Sequence, residues 1–154
     1  MSGFKIYEEV RMFKHILLPT DGSSLSHVAI QKGVQLARAI KAKITGITVI
    51  PEQEYYLYQM QVRVKEETVK QHKVQANRNL SVIEKAAKDA GVPCDTFCEV
   101  SDHPYEMIVK VAEKRECDLI MMASHGRRGV GALLIGSETE KVLTHSKIPV
   151  LVCR

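Results

Sequence analysis

The sequence predicts an α/β chain wound around a parallel sheet, and three features predict it. Five short runs of strand-like composition fall at 14–18, 43–50, 95–100, 119–123 and 149–153. Most are separated by longer segments whose apolar residues recur at helical spacing. Proline and glycine stand at the junctions, as Pro19, Pro51, Gly91, Pro93 and Gly136. Strands that alternate with helices connect by right-handed crossovers, and such crossovers place the strands parallel in one sheet.

Taken in order, Lys14 to Leu18 is an apolar run stopped by Pro19, as expected of a strand buried on both faces. Asp21, Ser23 or Ser24 is expected to cap a helix running through Ile40. Leu25, Ala29, Gly33, Leu36, Ala37 and Ile40 form one face of it. Lys43 to Ile50 reads as a second strand, ended by Pro51. Tyr55 to Tyr58 open an ambiguous stretch that merges into a long charged helix from about Val62 to Ala90, closed by Gly91 and Pro93. Asp95 to Val100 is the third strand. Asp102 or His103 then caps a helix with Pro104 in its first turn, reaching about Arg115. Leu119 to Ala123 is the fourth strand, Ser124 to Gly136 a glycine-rich loop, and Ser137 opens a short helix. Pro149 to Cys153 is the last strand.

Composition narrows the function classes. The 154 residues make one domain with a substantial core. That domain is assigned to 12–154, and residues 1–11 are either a natural arm or an expression remnant. A net charge of +4, with basic residues scattered among acids, lacks the basic stripe of a nucleic-acid binder. No apolar run approaches the roughly 18 residues needed for a membrane span. The amino terminus lacks a signal core, so the expected location is cytoplasmic. Cys94, Cys98, Cys117 and Cys153 form no CxxC pair and read as reduced, buried thiols. The six histidines show no HxH or HExxH spacing, so no structural metal is expected.

The loop after the fourth strand carries the chemistry. Gly126 is followed by nine residues and then Gly136-Ser137. A strand feeding a glycine-rich turn and a helix start makes a phosphate cradle: glycines let backbone N–H groups approach, and the helix dipole favours an anion. Two better-known loops fail the test. Gly131 to Glu138 has P-loop glycine spacing but puts Ser137 and Glu138 where lysine and a hydroxyl should stand. Gly129-Val130-Gly131 lacks the third glycine of a dinucleotide fingerprint and lies near the chain end.

From Met12 onward the chain resembles the universal stress protein family, whose nucleotide-binding members carry G-x2-G-x9-G-[S/T]. The match is Ala123-Ser124-His125-Gly126, nine residues, then Gly136-Ser137, with Ala123 in place of the first glycine. Ile16-Leu17-Leu18-Pro19-Thr20-Asp21-Gly22-Ser23 likewise resembles the family's first strand and acidic turn. The resemblance implies a flavodoxin-like, doubly wound sheet of order 3-2-1-4-5. Its switch point lies between the first and fourth strands, where ligands of such sheets sit. Both motifs end there.

The resemblance also implies roles. Asp21 faces the base, ribose and metal side of an adenine nucleotide; Pro19 and Thr20 line the base pocket, and the Val49 backbone contacts adenine. Met122 and Ala123 flank the ribose. Gly126, Gly136, Ser137, Glu138 and Thr139 present N–H groups to phosphate, joined by the Ser137 hydroxyl. Arg127 or Arg128 meets outer phosphates. Ser124 and His125 lie inside the motif, but neighbours on an extended segment point to opposite faces, so they are not read as a nucleophile and its base. His125 stays in the site as a positioning or acid–base group.

The implied function is binding of ATP or AMP, with magnesium carried by the nucleotide, in a regulatory or stress-tolerance module. Hydrolysis should be slow at most, because only Asp21 resembles phosphoryl-transfer machinery. Two other readings stand beside it. One is a family member without nucleotide that works by protein–protein association. The other is a flavin carrier on the same fold, which lacks an aromatic residue to stack the ring. Finally, 149–153 would be an apolar edge strand with nothing after it to cover it, a pairing template that predicts a homodimer. Relatives pair in this way.

Overall fold

The computed structural model describes residues 12–51, 67–126 and 135–154. Tyr55 to Tyr58, the start of the long charged helix, and Arg127 and Arg128 lie outside these residues. The described elements are β1 (His15–Pro19), α1 (Ser24–Ile40), β2 (Lys43–Ile50), α2 (Glu67–Ala90) and β3 (Cys94–Val100). Then come α3 (Pro104–Lys114), β4 (Leu119–Ala123), α4 (Ser137–His145) and β5 (Val150–Cys153). All neighbouring strands are parallel, in the order β3-β2-β1-β4-β5.

The central strands are buried on both faces, which explains their unbroken apolar sequences. Ile16 and Leu18 of β1 join Ile44, Leu119 and Met121 in one core, closed by Ala29, Ile30, Val34 and Ala37 of α1 and Ile83 and Ala87 of α2. Leu17 points the other way, to Ile47, Ile120, Met122, Ile108, Val111 and Val142. Alternation along a strand thus splits the core into two, one per helical layer. On α1 the buried stripe is Ser26, Ala29, Ile30, Gly33, Val34 and Ala37, while Leu25 is exposed. The small residues explain the shift. A Cβ at Gly33 would lie 2.6 Å from Leu18 Cδ2, so the helix rides low on the sheet and turns Ile30 and Val34 inward.

Boundaries move where side chains capture the backbone. β1 begins at His15, not Lys14, because the Asp118 carboxylate accepts both the Lys14 and the His15 N–H (2.8 and 2.9 Å). Ser23 caps α1, its hydroxyl accepting the Ser26 N–H at 3.2 Å. His103 occupies the cap position of α3 without a side-chain bond to the helix. Ser101 Oγ accepts the His103 N–H instead, and the Glu138 carboxylate accepts that of Tyr105 at 3.0 Å. The cysteines are all free thiols, but only Cys117 and Cys153 are buried; Cys98 is exposed on β3 and Cys94 half-buried. Burial pushes the Cys117 thiol up to about 12 and the Cys94 thiol up to about 11, with nearby carboxylates adding to both. No helix among the described residues is long and apolar enough to cross a membrane.

Candidate functional site

The site is built from the turn after β1, the turn after β4 and the start of α4. Beyond Pro19, the Thr20 N–H still pairs with the Ile47 carbonyl at 2.8 Å, so β2 carries the chain into the turn. Gly22 then adopts φ +76, the left-handed region that favours glycine. The turn is laced by its own side chains. Thr20 Oγ1 accepts the Gly22 N–H at 3.1 Å, and Asp21 Oδ1 accepts the Ser23 N–H at 3.0 Å. Ser26 Oγ lies 3.0 Å from Thr20 Oγ1, and the Thr48 hydroxyl donates to the Thr20 carbonyl at 2.9 Å.

With Oδ1 committed to the turn, the other Asp21 oxygen reaches across the switch point. A Cβ at Gly126 would collide with Asp21 Oδ2. The glycine is therefore what lets the acidic turn of β1 and the glycine loop of β4 touch. This brings together the two motifs that stand 105 positions apart in sequence.

Gly136 closes the third side. It is the cap residue of α4, with φ −62 and ψ 148, so it is not there for a left-handed conformation. Its N–H donates to the Ser124 carbonyl at 2.7 Å, and a Cβ on it would stand 3.2 Å from that oxygen and 3.3 Å from His125 Cα. Close approach is its function. Behind it, the N–H groups of Ser137, Glu138 and Thr139 head α4, where no intrahelical carbonyl can reach them. Thr139 is buried and its hydroxyl donates to the Ala123 carbonyl at 2.9 Å, pinning the helix start to the end of β4. The cradle is thus a backbone donor set held rigid from below.

Several residues serve the site differently from the sequence reading. The Thr20 side chain is buried and its hydroxyl is engaged within the turn, so it braces the site more than it lines it. The Glu138 carboxylate turns to the Tyr105 N–H and to Lys141 Nζ (3.1 Å), which keeps an acid out of the cradle. Val49 is half-buried and packs with the core on the α3 side, and Met122 is buried there too. Ala123 sits in β4 with ordinary extended backbone; Lys41 and Glu116 are the non-glycine residues with positive φ among those described. Its methyl group therefore imposes no backbone strain. Arg127 lies outside the described residues. The bracing roles of Ser26, Thr48 and Tyr105 were not singled out in the sequence. Ser26 alone had a local signal, three residues after a capping serine.

The expectation that Ser124 and His125 face apart is overturned. Ser124 Oγ lies 3.1 Å from His125 Nδ1. The alternation rule holds only while the chain stays extended, and β4 ends at Ala123. Ser124 gives its N–H to the Cys153 carbonyl at 2.7 Å and then bends, which swings the imidazole back over the serine. No acid among the described residues orients the pair, and no His, Cys, Asp or Glu trio there is grouped to hold a metal.

A model of the universal stress protein family matches residues 12–154, nearly the whole chain. The chain belongs to the universal stress protein family. Universal stress protein MJ0577 of Methanocaldococcus jannaschii is 31% identical over 157 residues, covering 93% of this chain and 96% of its own length. Universal stress protein MJ0531 of the same organism is 30% identical over 145 residues, covering 93% and 83%. The solved structure of MJ0577 superposes with a TM-score of 0.75 at 32% identity, over 92% of this chain and 95% of that one. A universal stress protein of Archaeoglobus fulgidus also matches, with a TM-score of 0.65, 17% identity, and coverage of 93% and 99%.

Proposed function

We propose that this universal stress protein binds an adenine nucleotide, ATP or AMP, at the carboxyl ends of β1 and β4, and works as a regulatory or stress-tolerance module. The observation that carries the reading is the contact of Asp21 with Gly126, which unites the acidic turn and the phosphate loop at the switch point. Support also comes from the cradle headed by Gly136 and the α4 N–H groups, a donor set suited to phosphate oxygens. The matching Archaeoglobus fulgidus protein was solved in complex with dAMP. Gly126, Gly136 and the amides of Ser137, Glu138 and Thr139 would hold the phosphates. Asp21, Pro19, Val49, Met122 and Ala123 would surround the nucleoside. Among the described residues no lysine or second carboxylate is placed beside Asp21 for phosphoryl transfer, so hydrolysis would be slow and incidental. The expected setting is the cytoplasm.

Titration calorimetry with ATP, ADP and AMP tests this. Binding to the unmodified protein is expected, and Gly136→Val should abolish it, because the added branches fill the space against Ser124 and His125. A folded Gly136→Val variant with full affinity would refute the site. Ala123→Gly should preserve or tighten binding.

The same proposal includes a homodimer through residues 149–153. β5 is the sheet edge, its Leu151 is 43% exposed, and unpaired ladder groups there suit a second copy about a two-fold axis. Light scattering should report a dimer that Leu151→Pro shifts toward monomer; a dimer indifferent to that change would place the contact elsewhere.

A further inference from the structure

The starts of α3 and α4 meet through one carboxylate, that of Glu138. Glu138 and Glu140 are the acids in the first turn of α4. Two acids are an odd choice at the head of a helix proposed to hold phosphate, since like charges repel. Glu140 is exposed, where solvent screens it. Glu138 is half-buried, and both its oxygens have partners other than the α4 amides. Oε2 accepts the Tyr105 N–H of α3 at 3.0 Å, and Oε1 lies 3.1 Å from Lys141 Nζ.

The bond to Tyr105 completes the start of α3. Pro104 has no N–H to satisfy, and the His103 carbonyl accepts those of Glu106 and Met107 at 3.1 and 3.3 Å. Tyr105 is the donor left over, and Glu138 takes it. α4 is in the opposite condition. Its cap residue is Gly136, so no cap side chain serves the amides of Ser137, Glu138 and Thr139. A carboxylate in the first turn is itself drawn to such amides, as any anion is. Glu138 thus has two helix starts within its choice.

Lys141 decides between them. Glu138, Lys141 and His145 recur at i, i+3 and i+7, one stripe of α4, and Tyr105 receives all three. The Lys141 ammonium stands 5.3 Å from the centroid of the Tyr105 ring, within cation–π range. The His145 ring packs on the same tyrosine at 5.0 Å. The cation is therefore held over Tyr105, and it holds the carboxylate there. Resting on the nucleotide reading above, we infer that Lys141 is a positioning residue of the phosphate site. It keeps Glu138 on α3 and so leaves the head of α4 open to a phosphate group. Lys141 touches no ligand in this scheme. Without it, Glu138 competes with the phosphate for the same amides.

A double-mutant cycle separates this competition from a simple effect of charge. AMP and adenosine are titrated calorimetrically into the unmodified protein, Lys141→Met, Glu138→Gln and the double variant. Lys141→Met should weaken AMP about threefold, the scale of a charge meeting a partly exposed helix start, and leave adenosine unchanged. In the Glu138→Gln background the same substitution should cost AMP nothing, because no acid remains to release. Lys141→Arg should keep full affinity, since a guanidinium also pairs a carboxylate and stacks on an aromatic ring. Unfolding should barely move in any of them, as partly exposed ion pairs contribute little to stability. The 1H–15N spectrum gives a reading that needs no ligand. In Lys141→Met the Tyr105 amide proton should move upfield as its carboxylate acceptor leaves. AMP losses equal in both backgrounds would make Lys141 a plain long-range charge and overturn the inference. So would unchanged AMP affinity in Lys141→Met, a matching loss of adenosine affinity, or an unmoved Tyr105 amide. Each of these would leave nucleotide binding intact. Failure of the unmodified protein to bind AMP, ADP or ATP would overturn the nucleotide reading itself, and this inference with it.

Discussion

The two ends of the sheet each hold a histidine with one buried ring nitrogen, and the two rings are held in different ways. At the amino-terminal end, His15 is 5% exposed and its Nε2 lies 2.7 Å from Thr45 Oγ1. Thr45 in turn donates its only proton to Asp95 Oδ1 at 2.7 Å, so it must accept from His15. The rest of the ring faces the Arg115 backbone, inside the fold. At the carboxyl-terminal end, His125 Nδ1 lies 3.1 Å from Ser124 Oγ, and the residue packs against Gly136 at the start of α4. The same residue type is locked between strands at one end and set in a turn at the other. What decides is the hydroxyl partner. Thr45 also donates to an acid, whereas among the described residues the Ser124 hydroxyl meets only the ring. Where the strands end, by contrast, the first N–H groups of α4 have no intrahelical carbonyl to meet.

This contrast predicts a double dissociation. The largest stability effect should come from the amino-terminal end. Asp118→Ala removes a carboxylate that accepts two backbone N–H groups, from Lys14 and His15. It should cost roughly 3 kcal/mol in denaturant unfolding, because hydrogen bonds to charged groups are the stronger ones. Nucleotide affinity at moderate denaturant-free temperature should not change. A loss of affinity in a folded Asp118→Ala variant would show that the two ends are coupled.

Gly126→Ala should do the reverse. Among the described residues the added methyl meets only the Asp21 carboxylate and no backbone atom, so unfolding should shift less than in Asp118→Ala, by about 1 kcal/mol. The displaced carboxylate loses its place in the site, and AMP affinity should fall at least tenfold, about 1.4 kcal/mol. Stability and affinity falling together would make Gly126 a folding residue only.

How much of this was legible beforehand follows the range of the forces involved. The strands, the helices and the Asp21–Gly126 convergence were readable, because they rest on local periodicity and on two contiguous motifs. The Ser124–His125 bond was misread, because the alternation rule was applied one residue past the end of β4. Glu138 capping α3 through Tyr105, 33 residues away, left no local trace. Neither did the inward turn of Ile30 and Val34, which depends on how closely Gly33 lets α1 approach Leu18. Packing distance is a tertiary quantity, and patterns along one element do not contain it.

The smallest effect should be one of pH. Burial, followed by the nearby Lys43 charge, holds the His15 imidazole below its ordinary value, against the opposing pull of Asp95 and Asp118. The native ring therefore stays neutral while the unfolded chain takes up a proton below about pH 6.5. Stability is unaffected above that pH. It falls as pH drops below it, and this loss levels off once the native ring also protonates. Unfolding curves between neutral and mildly acid pH should show the slope, and His15→Gln should flatten it. An unchanged slope in that variant would assign the acid sensitivity to other groups.

The most direct test of the proposed nucleotide site is a 1H–15N NMR titration with AMP. Amide shifts should concentrate at Thr20, Asp21, Val49, Ala123 to Gly126 and Gly136 to Thr139, while His15, Thr45, Asp95 and Asp118 stay in place. Shifts centred on the amino-terminal end of the sheet, or none at saturating AMP, would contradict the account.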